Sequence, residues 1–130
     1  LRLEAVDLPR HDAAVTVATE GVAALVTTVR RALAEGGVAR PDAVAGPLLR
    51  ASLEAALGSG ETPAGTSPSG PVSGWDADRV RAQQAASGDD PALAEVLAAL
   101  ERAAARHAVA ARIEAPPAAH AVLRALGLED

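Results

Sequence analysis

DAAVTVATEGVAALVTTVRRALAEGG, residues 12–37, carries two competing periods, and the choice between them decides the fold class. Val15, Ala18, Val22, Leu25, Val29 and Ala32 recur at alternating spacings of three and four, which sets them on one face of a helix. Inside the same stretch, AAVTVAT (13–19) alternates with period two and is rich in β-branched residues, which suits a strand. The preceding LRLEAVDL (1–8) also alternates, so the rival reading is a short N-terminal strand or hairpin of 1–8 with 13–19, followed by a helix from Thr19. The three/four spacing runs unbroken through Gly21, and that decides for one continuous helix from Asp12 to Glu35. Pro9 punctuates before it, Asp12 serves as N-cap, and Gly36-Gly37 supplies the stop.

Downstream, VARPDAVAGPLLRASLEAALGSG begins at Val38. Residues 42–45 read as a short turn. Pro47 falls in the first turn of the next helix with Gly46 as a permissive N-cap, and Leu49, Leu53, Ala56 and Leu57 form its stripe. Gly58 ends it. GSGETPAGTSPSGPVSG, residues 58–74, has no apolar period and too little apolar surface to offset its ordering entropy, so it reads as a long flexible linker.

Order returns at Trp75-Asp76. With Asp76 as N-cap, Trp75 and Val80 have hydrophobic-staple spacing, and the helix should reach about Ala86. Ser87-Gly88-Asp89-Asp90-Pro91 breaks it and starts a second long helix, capped by Asp90 and running to Arg112 or Ile113. The stripe of that helix is Leu93, Val96 or Leu97, Leu100, Ala104, His107 and Ala111. Ala115-Pro116-Pro117 ends it. A last helix spans about Pro117 to Ala125 with Val122 and Leu126 inward, and Gly127 stops it.

The expectation is an all-α fold, a small bundle of four to five helices with a long flexible central loop. The whole chain, 1–130, forms a single helical domain: an N-terminal helical pair (1–57), the linker (58–74) and the C-terminal helices (75–130). The two long helices pack on each other and the shorter ones cover them. About a quarter of the 130 residues are Ala, which favours helix and contributes little burial. Leu and Val supply most of the larger apolar side chains, beside one Ile and one Trp, so the core should be thin.

Composition also removes classes of chemistry. There is no Cys, which excludes disulfides, thiolate catalysis and Cys-ligated metal. All 12 Lys+Arg residues are Arg, and Asn, Phe, Tyr and Met are missing as well. That bias belongs to a GC-rich bacterial genome and does not mark phosphate recognition. Net charge −5 opposes a nucleic-acid or polybasic membrane surface. No apolar run reaches the roughly 18 residues of a membrane span, and no signal-peptide pattern is visible. These readings point to a cytoplasmic protein with neither nucleic acid nor membrane as partner.

The candidate sites are sparse. His11, His107 and His120 lack helical ligand spacing, and the plain reading is a half-buried His107 with two surface histidines. The dispersed glutamates lack the Glu-x-x-His pattern of a di-iron bundle. Asp76-Ala77-Asp78 opens like a calcium loop and then lacks its central Gly and terminal Glu. No nucleophile elbow or phosphate-binding loop is present, so no cofactor and no catalytic residue is expected. An enzyme would have to use His107 or His120 with a Glu as acid and base.

Three residues remain as partner-binding candidates. Arg102 and Arg106 share a helix face at i,i+4 and suit an acidic partner or a phosphate. A solvated face near a helix C-terminus is the plainer account of both. Trp75 is either a hot-spot anchor or simply the staple for Val80. The functional expectation is a protein–protein interaction or assembly domain without catalytic activity, working through a protein partner or as a homodimer. The alternative is a small-molecule-binding or dimerisation domain of a bacterial regulator.

Overall fold

The computed structural model describes residues 5–58, 70–72, 74–110 and 117–130, and among these it holds five helices and no strand. They are α1 (Leu8–Glu35), α2 (Pro41–Gly58), α3 (Ala77–Ala86), α4 (Pro91–Ala110) and α5 (Pro117–Ala125). The all-α expectation holds. The hairpin alternative fails where it can be compared, because residues 13–19 are helical; residues 1–4 of its first strand lie outside the described residues.

α1 starts earlier than its spacing suggests. Asp7, not Asp12, is the N-cap, its Oδ1 accepting from the Arg10 N–H at 3.1 Å. Pro9 sits in the first turn, where its missing N–H costs nothing, so it opens the helix instead of interrupting it. The helix is continuous to Glu35 but not uniform, since Val17–Gly21 form a π-helical turn. The extra residue of a π turn rotates everything after it by up to about 100°. Val15 and Ala18 therefore do not continue the line of Leu25, Val29 and Ala32. Burial follows the break: Leu8 through Ala24 are all exposed, whereas Leu25, Val29 and Ala32 are half-buried.

The fold divides into two compact units, Leu1–Leu49 and Arg50–Asp130, with the boundary inside α2. In the first unit the end of α1 is a complete Schellman motif. The Val38 N–H donates to Leu33 O at 2.9 Å and the Gly37 N–H to Ala34 O at 3.1 Å, with Gly37 at φ 93°. Arg30 then reaches Asp42 at 2.6 Å, tying the end of α1 to the first turn of α2. α2 begins at Pro41, so residues 42–45 are helical, Gly46 is no cap, and Pro47 lies inside the helix. Ala45, 1% exposed, is the one buried residue among the described residues of this unit. Of the stripe expected along α2, Leu49 is half-buried, while Ala56, Leu53 at 57% exposure and Leu57 at 74% stay in water.

The second unit holds the core. Val72, Ala77, Val80, Ala105, Val122 and Leu126 form one cluster, with Trp75, Leu123 and Leu128 packed against it. Asp76 caps α3 through the Arg79 N–H at 3.0 Å and Asp90 caps α4 through the Leu93 N–H at 3.2 Å, both as expected from local sequence. Val122 and Leu126 face inward as expected. The expected end of α4 at Arg112 or Ile113 lies outside the described residues, as do Ala111 and most of 58–74. Val72, from the tail of that Gly/Ser/Pro stretch, is 4% exposed and belongs to the core.

α5 ends in a second Schellman motif. The Leu128 N–H donates to Leu123 O at 2.8 Å and the Gly127 N–H to Arg124 O at 3.0 Å, with Gly127 at φ 72°. Two side chains satisfy carbonyls left over at this terminus: Gln84 Nε2 donates to Ala125 O at 2.8 Å and Arg102 Nε to Leu126 O at 2.7 Å. Gly127→Ala forces an L residue into the left-handed region, and the expected cost is about 1–2 kcal/mol in a urea titration followed by Trp75 fluorescence.

α4 is turned about one residue from its expected phase. Glu101, Ala105 and Ala108 are the buried residues, while Leu100 is 51% exposed and His107 is exposed. The expected stripe of Leu93, Val96, Leu100, Ala104 and His107 is half-buried at best, and His107 is not the half-buried imidazole that spacing suggested. The reason lies in the composition of the helix. Ala flanks both faces, so the small Ala105 can join the cluster of Val80 and Val122 more closely than the Leu side could.

Candidate functional site

The three partner-binding candidates separate in the structure. Trp75 is half-buried and packs on the core cluster that contains Val80; its backbone adopts φ 49°, left-handed for a non-Gly residue. Its N–H donates to Val72 O at 3.1 Å, so the indole position follows from the tight turn before α3. Arg102 is engaged in holding the last carbonyls of α5. Arg106, one turn on, makes no ion pair among the described residues and lines an open groove.

That groove, about 370 Å³, lies between α4 and the end of α5. Ala105, Val109, Ala110, Leu123 and Leu128 give it apolar walls, and Arg106 is its single charged lining residue among the described residues. The two arginines therefore differ in what their loss should do. Arg102→Ala should cost about 1 kcal/mol of stability, since a helix-terminal carbonyl loses a charged donor. Arg106→Ala should stay within about 0.5 kcal/mol of the parent in the same urea titration.

A larger apolar feature is α1 itself. None of its 28 residues is buried, and Leu8, Val15, Val17 and Val22 are 71%, 44%, 70% and 47% exposed. By length and composition it can cross a membrane, with a mean hydropathy of 1.3 over its best 18-residue window. No uninterrupted apolar run underlies that figure. Isolated charges break the stretch, and Glu20 sits near the middle of the helix.

The titratable groups form no catalytic centre among the described residues. His120 Nδ1 lies 2.8 Å from Glu129 Oε1, with Arg124 3.9 Å from the same oxygen, but the pair is solvent-exposed and outside the groove lining. No group of three or more His, Asp or Glu with metal-binding geometry occurs among the described residues.

The one buried acid is Glu101, which no spacing argument singled out. It is 7% exposed and neither carboxylate oxygen has a hydrogen-bond partner among the described residues. Burial pushes its carboxyl above the ordinary carboxylate range, and the Arg79 guanidinium pulls in the opposite direction.

No protein-family model matches the chain, and neither a curated protein nor a solved structure matches it.

Proposed function

We propose that this chain is a non-catalytic helical interaction domain, an assembly or accessory element that works through protein–protein contact with α1 as its docking helix. The observation that carries the reading is the exposure of α1 from Leu8 to Ala24, with no residue of the whole helix buried, despite its apolar composition. A helix gains most of its stability in a protein by burying one face, and contiguous apolar surface is rarely left bare on a monomer. A partner helix or groove supplies the missing cover. Lipid is the poorer cover, because a spanning placement sets the Glu20 carboxylate near the bilayer centre at a cost on the order of 3 kcal/mol.

The alternative, a small-molecule-binding or dimerisation domain of a regulator, is favoured by one observation, the apolar groove with Arg106 at its wall. Its volume lies at the small end of the range for ligand pockets, roughly 300–1,000 Å³.

Light scattering of the purified chain across a wide concentration range tests the first reading. Growth in mass with concentration, lost when α1 is made polar, supports docking through α1. A monomer at every concentration removes self-association and leaves a heterologous protein partner. Binding of a fluorescent apolar anion, abolished by Arg106→Ala at unchanged mass, favours the small-molecule reading instead.

A further inference from the structure

The Schellman turn that stops α5 also builds one side of the groove. Gly127, at φ 72°, folds the chain back so that the Leu128 N–H reaches Leu123 O, and the two leucines form one apolar wall. Across from them α4 presents Ala105, Val109 and Ala110. Ala105 is fully buried at the floor, and Val109 is exposed at the rim. The alanines are too short to fill the distance to the leucines, and the space left over is the groove of about 370 Å³.

A lining of this kind selects its occupant by charge. Arg106 makes no ion pair among the described residues, and every other described lining residue is apolar. A guanidinium with no carboxylate of its own offers a planar fork that fits a carboxylate through two parallel hydrogen bonds. Arg102, one turn earlier, is engaged with Leu126 O at 2.7 Å and stands beside Gly127, so it adds positive potential without taking up the anion itself. The C-terminal end of α5 borders the same groove with the negative pole of its dipole. One negative charge is matched by Arg106. A second, as on a phosphate monoester, would face that pole.

We propose that the groove binds a monoanionic carboxylate on a short-to-medium alkyl body, with its head on Arg106 and its chain between Val109 and the Leu123–Leu128 wall. The proposal names the ligand class for the small-molecule reading above, on which it rests, and it is independent of α1. The α4 wall from Ala105 to Ala110 rises about 7.5 Å, which holds a short alkyl chain and leaves the tail of a long acyl chain in water.

Amide NMR of the full chain tests it, by titration with butanoate, hexanoate and octanoate and with hexanol as the neutral match. Shifts should concentrate at 105–110 and 123–128. Affinity should rise along the acids by up to about fourfold per methylene. Hexanol should bind about fivefold or more weakly than hexanoate. Arg106→Gln should erase the preference for the acid and leave hexanol binding as it was. Val109→Asp, which sets a carboxylate in the groove, should weaken both. Both residues are exposed, so the urea midpoint of either variant should hold. Hexanol binding as tightly as hexanoate, or a preference for the acid that survives Arg106→Gln, overturns the carboxylate assignment and leaves the small-molecule reading standing. Failure of all four probes to bind overturns both. Shifts confined to residues outside the groove overturn the proposal as well.

Discussion

Leu126→Ala is expected to abolish the cooperative unfolding transition of the C-terminal unit at physiological temperature. Leu126, Val80 and Val122 are the largest fully buried side chains among the described residues, at 1%, 0% and 0% exposure. Removing three carbons from such a site loses the transfer free energy and leaves a cavity, about 2–5 kcal/mol in total. Small domains have roughly 5–15 kcal/mol to lose, and a core built on two valines and a leucine belongs at the low end of that range. Position 126 also carries the carbonyl that Arg102 grips, so collapse of the site disturbs the cap of α5 along with the core. Leu57→Ala, at a residue 74% exposed, is the matched control and should change stability by less than about 0.5 kcal/mol. Urea titration read by Trp75 fluorescence and by circular dichroism separates the two.

The second large effect concerns association and leaves stability alone. Val15→Asp combined with Val22→Asp places a carboxylate on each side of the π turn of α1, at positions 44% and 47% exposed in the chain by itself. Neither residue is buried, so the urea midpoint of the C-terminal unit should not move. Covering these positions in a complex would desolvate two unpaired charges, a penalty of several kcal/mol. Association through α1 should weaken by at least about a hundredfold, equivalent to roughly 2.8 kcal/mol, when mass is followed against concentration. Unaltered association of the double variant would place the docking surface elsewhere.

What could be read from the sequence was what is local. Asp76 and Asp90 cap because a side-chain oxygen three residues before a free N–H needs no tertiary help. Gly37 and Gly127 stop their helices because both take positive φ in a Schellman motif, and that geometry is written in the residue type. Trp75 packs on the cluster that holds Val80 for the same reason of short spacing.

The misreadings arose where the sequence pattern was degenerate. Pro9 and Pro47 look alike on paper, yet one opens α1 and the other is carried inside α2. The three/four spacing through Gly21 presumes an α-helical count, and the π turn adds a residue to it. α4 was the hardest case, because Ala on every face leaves the moment of the helix nearly free to rotate, and Leu100 outweighs Ala108 on any hydrophobic scale. Glu101 was hidden by the same error, since the phase that puts Leu100 inside puts Glu101 in water. Of the partner candidates, spacing placed Arg102 and Arg106 on one face. The distinction between them depends on where α5 ends, which is a tertiary fact.

The central claim is that α1 is a helix awaiting cover, and hydrogen exchange of its amides in the dilute, monomeric chain tests it most directly. A helix with no buried face has only its own propensity to hold it, and exposed helices exchange through local opening. The account predicts that the amides of Leu8 to Ala24 exchange orders of magnitude faster than those of α4 and α5, and gain protection when the chain associates or a partner is added. Amides of α1 that are already as protected in the monomer as those of the core would contradict it.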